Sequence, residues 1–457
     1  SSIRAVNQTG TVTCEADDVG TPGWSLTGNA GTGSGNFLGT TDAAALELRT
    51  NNARSLRIEP SVQTFGGDPI TTNTITGSSA NEVLAGVRGA TISGGGVPSG
   101  DSDPDFSEEQ PNRVTDHYGT IGGGYSNIAG DNAGAFSDRA FATVGGGERN
   151  EASGDWSAVG GGRRNAASGS GSTVGGGSSN AASNLLATVG GGETNEASGD
   201  RSTVAGGALN VASGVSSTVG GGSSNEASRV DSTIGGGALN VASGITSTIG
   251  GGDFNEASGD RSSVGGGGNN TARGVYSTVS GGRGNEASGD RSTVGGGNLN
   301  TASGTTSTVG GGKENTASGS TSTVGGGFGN TASSYGATIG GGISNTALGA
   351  NNTVAGGQGN DASGSGSTVG GGGVNTASGS FSTVAGGSGN MAAGDYSFVV
   401  GRRARNVDAD HDGVFVFADS QLEDLESTGP NQFLIRAASG LGLNTANPTP
   451  AHVTIGK

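Results

Sequence analysis

Residues 292–306 read Ser-Thr-Val-Gly-Gly-Gly-Asn-Leu-Asn-Thr-Ala-Ser-Gly-Thr-Thr, and this fifteen-residue unit decides the fold. A step of 15 residues from position 144 to position 399 lands on Val or Ile at all 18 positions. Asn recurs with the same step from 150 to 390, and Ala recurs from 152 to 392. A disordered chain does not keep an apolar register over such a length, so the pattern predicts stacked structural repeats.

The repeat unit favours strands over helices. Fifteen residues are too few for a pair of packed helices, and Gly, Ser, Thr and Val are poor helix formers. In Ser292-Thr293-Val294, Ser and Val point to one side of a strand and Thr points to the other. A second short strand is expected at Asn-x-Ala-Ser, with Ala inward. The sequence therefore predicts an all-β fold, a parallel β-solenoid with 15 residues and two short strands per coil.

Two features of the repeat concern its turns and its interior. The Gly at the thirteenth position, as in Gly289 and Gly304, is expected to supply a left-handed corner. The Gly-Gly-Gly run supplies another bend or lets neighbouring backbones approach closely. The Asn column is expected to form an internal ladder of side-chain amides. Between Glu196 and Glu286, charged and neutral residues alternate from coil to coil, which keeps like charges two strand spacings apart.

Composition excludes several classes of protein. Of 457 residues, 99 are Gly, and only 30% are hydrophobic, so ordinary globular domains are not expected. The net charge of −17 disfavours nucleic-acid binding. A single cysteine, Cys14, excludes an internal disulfide framework. No stretch has the length of a membrane span, and no signal peptide is recognised, although a processed or partial chain stays an alternative.

The chain divides into four predicted segments. They are 1–72, an N-terminal β-rich cap domain; 73–143, irregular solenoid coils with loop insertions; 144–400, the regular 15-residue-repeat solenoid; and 401–457, a C-terminal β-rich cap or docking domain. Within the first segment, residues 44–58 predict a hairpin that turns at Asn51-Asn52. The early coils are marked by Ile75, Ile92 and Ile121. Short strands are expected at 413–417, 432–436 and 453–455.

No catalytic, cofactor-binding or metal-binding residue is predicted, and the protein is not expected to be an enzyme. Its three histidines, His117, His411 and His452, are far apart, and none lies inside the regular repeat. The insertion 97–113 carries Asp101, Asp103, Asp105, Glu108 and Glu109. Because it lacks the Gly and the closing Glu of an EF-hand, it is interpreted as a solvated loop rather than a calcium site.

The elements Ser-Thr-Val-Gly-Gly-Gly and Asn-x-Ala-Ser-Gly resemble the heads of trimeric autotransporter adhesins over residues 121–399. The family's usual repeat is slightly shorter, and its coiled-coil stalk and membrane-anchor barrel have no counterpart here. Residues 431–448 resemble the segment ahead of the self-cleaving chaperone domain in phage-tail-type fibres. These resemblances imply a left-handed β-roll and a homotrimeric extracellular fibre.

The expected function is that of an extracellular or cell-surface structural or adhesive fibre, which forms homotrimers and docks head-to-tail into filaments. A bacteriophage tail or receptor-binding fibre on a virion is the alternative. An ice-binding solenoid is a weaker alternative, because the Thr column from 173 to 383 is only one residue wide. The pairs 148–149 and 155–156 vary from coil to coil. Binding to host-cell or environmental surfaces would reside there, although solvent drift and trimer contacts explain them more simply.

Overall fold

The predicted parallel β-solenoid is confirmed. The structure, a computed structural model, describes residues 3–6, 12–14, 33, 37–60, 64–65, 68–69, 71–100, 103, 106 and 108–439. No α-helix occurs in these ranges. The chain winds into successive coils, each contributing one short strand to each of two parallel sheets.

Most strands are two residues long and evenly spaced. Odd-numbered strands β13 to β43 begin at every fifteenth residue from Thr143–Val144 to Thr368–Val369, and even-numbered strands β14 to β44 from Glu151–Ala152 to Thr376–Ala377. The strands before them are β1 (Ile3–Val6), β2 (Val12–Cys14), β3 (Leu46–Thr50), β4 (Ala53–Pro60), β5 (Thr64–Phe65), β6 (Asp68–Pro69), β7 (Thr72–Thr76), β8 (Glu82–Val83), β9 (Thr91–Ser93), β10 (Arg113–Val114), β11 (Thr120–Ile121) and β12 (Ile128–Ala129). The strands after them are β45 (Thr383–Ser388), β46 (Met391–Ala392), β47 (Phe398–Arg402), β48 (Ala404–Asn406), β49 (Phe415–Ala418), β50 (Leu425–Glu426) and β51 (Phe433–Arg436).

Each sheet is a continuous ladder in which a strand pairs with the strand one coil away. Sheet 1 runs from β7 and β9 through the odd-numbered strands to β51, and sheet 2 runs from β8 through the even-numbered strands to β50. The register keeps like residues together, as Thr293 pairs with Thr308 and Val294 with Val309. The alternation of charge is confirmed, because Glu286 lies between Thr271 and Thr301.

The interior is built from small side chains. The Val or Ile column of sheet 1 and the Ala column of sheet 2 are almost completely buried throughout the regular coils. The Thr column of sheet 1 points outward, as predicted, and most of its members are half-buried. One Val and one Ala per coil make a core thin enough to be filled by a chain that is only 30% hydrophobic.

The Asn column forms the predicted internal ladder. The backbone N–H and the side-chain amide of Asn300 both donate to Oδ1 of Asn285, at 3.0 and 3.2 Å. The same amide also donates to the carbonyls of Gly296 and Gly312, at 2.9 and 2.8 Å. The bond from the backbone N–H of one Asn to Oδ1 of the preceding one continues from residue 81 to residue 390. Each coil is thus tied to its neighbours by a satisfied buried amide.

The expectation for Gly289 and Gly304 is wrong in its reason. Neither residue has a left-handed φ; the corner lies two residues later, where Arg291 has φ 56° and Thr306 has φ 55°. A Cβ atom on Gly289 would instead lie 2.1 Å from the carbonyl oxygen of Gly304 in the next coil. Glycine is therefore favoured here by the close approach of two coils rather than by backbone conformation.

Both ends of the regular rod continue its stacking. The predicted hairpin is confirmed: β3 and β4 pair antiparallel around Asn51 and Asn52, which have φ 48° and 65°. β4 then pairs antiparallel with β7, where the coils begin. At the other end the 15-residue period stops, but the stacking continues through β47, β49 and β51. The expected strand at 453–455 lies outside the described residues.

A matched pair of alanine substitutions tests the ladder. Asn285→Ala removes the side-chain bonds to Gly281, Gly297 and Asn300. It leaves buried carbonyls and an N–H without partners, so local stability should fall by about 2–5 kcal/mol. Ser292 is equally buried, but its hydroxyl has no partner, so Ser292→Ala should change stability by less than about 1 kcal/mol. Hydrogen exchange of the flanking coils measures both. Equal losses would contradict the ladder's role.

A second matched pair tests the third Gly of the run. Gly312 has φ 88°, and a Cβ there would lie 2.2 Å from the carbonyl oxygen of Gly327, whereas a Cβ on Gly311 would meet nothing within 4 Å. We expect Gly312→Ala to lower the thermal midpoint through strain and a backbone clash of at least about 2 kcal/mol. Gly311→Ala should leave the midpoint almost unchanged. A tolerated Gly312→Ala would show that the coils are not packed this closely.

Candidate functional site

The variable pairs form two corners of each coil. The second residue of each pair has a left-handed backbone, as at Arg149 (φ 53°) and Trp156 (φ 58°). We call the column that contains Arg149 the first corner row and the column that contains Trp156 the second corner row. A left-handed backbone costs a non-glycine residue about 1–2 kcal/mol, yet most corners carry side chains rather than glycine. The corners therefore hold exposed side chains at an energetic cost, which is a mark of functional positions.

The first corner row is rich in exposed apolar side chains. Its αL residues include Leu209, Leu239, Phe254, Leu299 and Val374, all of which are exposed. They project from a rim of the rod whose intervening residues are small or polar, such as the Ser and Asn of other coils. This row is a surface on which single side chains can change without disturbing the core.

The second corner row carries aromatic stacks near its ends. Tyr118 and Phe141 stack with ring centroids 5.0 Å apart, and Trp156 packs edge-on against Phe141 at 5.4 Å. Near the other end, Phe381 stacks on Tyr396 at 5.6 Å. The 15-residue step alone places Phe381 and Tyr396 one above the other, so the sequence contains the signal for this stack.

Between these stacks, one aromatic ring lies between two guanidinium groups. The Cζ atom of Arg261 is 5.1 Å from the Tyr276 ring centroid, and Cζ of Arg291 is 5.9 Å from it on the neighbouring coil. Such cation–π contacts contribute about 0.5–1 kcal/mol each at exposed sites. They order the surface of this corner row without any buried interaction.

A groove of about 440 Å³ lies near the C-terminal end of the rod. Its lining includes Val374, Leu422 and the guanidinium groups of Arg402, Arg403 and Arg405. The last two pair with Asp424, and the hydrogen bond from Arg403 holds the pKa of Asp424 below its usual value. Arg402 forms no ion pair with any described carboxylate, and its guanidinium donates to the carbonyl of Ser420. The groove can accommodate an anionic group beside apolar surface.

Three carboxylates that the sequence analysis missed come together near the N-terminal end. Ligand atoms of Asp116, Asp131 and Asp138 lie within 4.8 Å of one another. Buried Asp116 accepts hydrogen bonds from Thr115 and from the backbone of Asp131. Burial raises the pKa of Asp116, and the charges of Asp131 and Asp138 raise it further. Carboxylate oxygens suit a hard cation, while Arg139 offers a competing charge 3.3 Å from Asp131.

A spacing anomaly signals this acidic group. The markers Ile121 and Val144 are 23 residues apart instead of 15, and the extra residues include Asp131 and Asp138. The acidic residues of 97–113 are not part of the group. Of those, Glu108 and Glu109 are exposed, while Asp101 and Asp105 lie outside the described residues.

The histidines are not brought together. His117 lies near the start of the coils, between β10 and β11, and His411 lies near their end, between β48 and β49. Nδ1 of His411 is 2.9 Å from the Ser427 hydroxyl, but that hydroxyl is buried and donates to Oδ1 of Asn406. This contact holds the last coils together and leaves no accessible nucleophile. His452 lies outside the described residues.

Exchanging residues between adjacent corners tests their strain. Val374 has φ 54° and is 69% exposed, and the equivalent residue of the next coil is Gly389, with φ 69°. Val374→Gly should stabilise its coil by about 1 kcal/mol, because a β-branched residue is poorly suited to this backbone. Gly389→Val should destabilise its coil by a similar amount. Thermal unfolding of both variants checks this, and a Val374→Gly variant less stable than the parent chain would contradict it.

Comparison with models of known protein families and with the curated proteins finds no match. Among the described residues, no helix is long and apolar enough to span a membrane. The function is therefore argued from the rod itself and from the side chains at its corners.

Proposed function

We propose that this protein is an extracellular structural and adhesive fibre protein that works as a parallel homotrimeric rod. The observation that carries the proposal is the uninterrupted stacking of sheets 1 and 2 from β7 to β51. At a strand spacing of about 4.8 Å, these coils make a rod about 100 Å long. A rod of this kind holds its two ends at a fixed separation, which is what a fibre or spacer requires.

The thin core supports self-association. The interior of one coil is little more than a Val and an Ala side chain, and such a small core contributes little stability per residue. Association of three rods would bury additional apolar surface, and exposed apolar side chains are available at the corners and on the last coils. The resemblance to trimeric adhesin heads points to the same assembly.

The corners support the adhesive part of the proposal. They combine a constant scaffold with residues that differ from coil to coil, which is the arrangement on which binding specificity commonly develops. The first corner row offers apolar contacts, and the second offers aromatic and guanidinium groups. Environmental or host-surface molecules are the proposed ligands, and an extracellular location is part of the proposal.

Electron microscopy of the purified full-length chain, combined with its mass in solution, tests the structural part. We expect straight rods about 100 Å long, at a strand spacing of about 4.8 Å, with three times the mass of one chain. Compact particles, or rods of single-chain mass at micromolar concentration, would contradict the proposal.

A binding comparison tests the adhesive part separately. The intact rod is screened against arrayed glycans and extracellular-matrix proteins, and any binding is repeated with Leu209→Ser/Phe254→Ser and with Arg261→Ser/Tyr276→Ser. At least one of these corner variants should lose binding by about tenfold or more, because anchors of this size commonly contribute over 1 kcal/mol. Binding that survives both substitutions would place adhesion elsewhere.

A further inference from the structure

The outer face of the last three coils differs from the rest of sheet 1. In the regular coils the outer column is Thr, as at Thr368 and Thr383. From β47 onward it becomes aromatic, because Thr383 pairs with Phe398, which pairs with Phe415, which pairs with Phe433. The ring centroids are 5.3 and 4.7 Å apart along this stack.

A second apolar column lies beside the first. Val400, Phe417 and Ile435 pair in register two residues further along the same strands. We call the two columns together the Phe face; its residues are Phe398, Val400, Phe415, Phe417, Phe433 and Ile435. Phe398, Phe417 and Phe433 are 37%, 40% and 69% exposed. The inward residues between them, Val399 and Val416, are fully buried, so the outer columns are not needed to fill the core.

We propose that the Phe face is the surface on which parallel copies of this chain associate, so that it starts and aligns the oligomer at the C-terminal end of the described rod. This rests on the self-association in the proposed function and specifies where it occurs. The partner is a second copy of the same chain, laid side by side with the first.

The repeat of the Phe face favours a second copy over other partners. Its apolar side chains recur at the strand spacing, and an identical rod laid parallel to it offers the same spacing, rung for rung. An extended apolar surface of this size is uncommon on a monomeric soluble protein.

Area favours the parallel arrangement. The three most exposed rings leave on the order of 300 Å² of apolar surface, whereas a stable interface needs about 800 Å² per partner. An antiparallel pair joined at this face would overlap only at the rod ends. A parallel pair would continue its contact along the Thr column of the same sheet and so gain the remaining area.

The charges near the Phe face do not oppose this association. The chain carries a net charge of −17, so two copies repel at long range. Close to the face, however, Asp419 pairs with Arg436 at 2.9 Å, and Asp424 pairs with Arg403 and Arg405. The acidic groups are thereby neutralised within one chain, and two identical faces can meet without these carboxylates standing unpaired between them.

A triple substitution of the full-length chain tests the proposal. Phe398→Thr/Phe415→Thr/Phe433→Thr gives the outer column the residue that it already has in the regular rod, so the coils should still fold. Sedimentation at micromolar concentration should show the oligomer for the parent chain, and the dissociation constant of the triple variant should rise at least about 100-fold. The matched control, Phe254→Thr/Leu299→Thr, removes exposed apolar groups from the first corner row and should keep the oligomer.

The outcomes separate this inference from the proposed function. A triple variant that stays as oligomeric as the parent chain overturns the Phe face as the interface and leaves self-association standing, as does a control that dissociates instead. A parent chain that sediments as a monomer overturns self-association itself. Far-UV circular dichroism verifies that each variant keeps its β-structure.

A cross-link provides a second measurement that does not depend on the triple variant. In a Cys14→Ser background, Phe433→Cys should form covalent dimers under mild oxidation, whereas Phe254→Cys should not. An intact oligomer of the Phe433→Cys variant that forms no cross-link overturns the proposal. So does a monomer of this variant whose new thiol is shielded from a soluble thiol reagent, because residues 440–457 would then cover the face.

Discussion

The buried asparagine ladder is the interaction on which the rest of the rod depends. A side chain such as Asn285 accepts from the backbone and side chain of Asn300 while its own amide donates to carbonyls at Gly281 and Gly297. A buried amide is costly unless it is fully bonded, and only a coil of the same length and conformation can bond it. The ladder therefore makes a change in coil length costly, and the 15-residue step stays constant from residue 144 to residue 399.

Close packing of backbones is the second constraint, and it explains the composition. The third Gly of the run is present in every regular coil, where a Cβ atom would clash with the carbonyl of the next coil. Side chains are confined to a thin core and to the outer surface, so the chain needs few large residues. The corners then become the positions where large side chains can vary, and they keep them although the left-handed backbone favours glycine.

Sequence periodicity was sufficient to predict what every coil repeats. The Val, Ala and Asn columns, the outward Thr, the hairpin at Asn51 and the spacing of charged rungs all agree with the structure. Gly289 was misjudged because a sequence shows where a glycine is required but not whether conformation or contact requires it.

Features that break the period were harder to predict. The residues Phe398, Phe415 and Phe433 are 17 and 18 apart, so no constant step aligns them, although they stack in one column. The acidic group at Asp116 depends on how one unrepeated insertion folds back onto a coil. Non-periodic contacts of this kind need coordinates, because neither spacing nor composition brings the residues together.

Exchange of the asparagine side-chain protons tests the ladder most directly. In a chain labelled with ¹⁵N only at Asn, NMR can compare the buried ladder amides with exposed ones such as Asn269 and Asn351. We expect the ladder Nδ2 protons to exchange at least about 100-fold more slowly than the exposed ones, since their exchange requires local opening of the coils. Equally fast exchange of both groups would contradict a rod held together by buried asparagine amides.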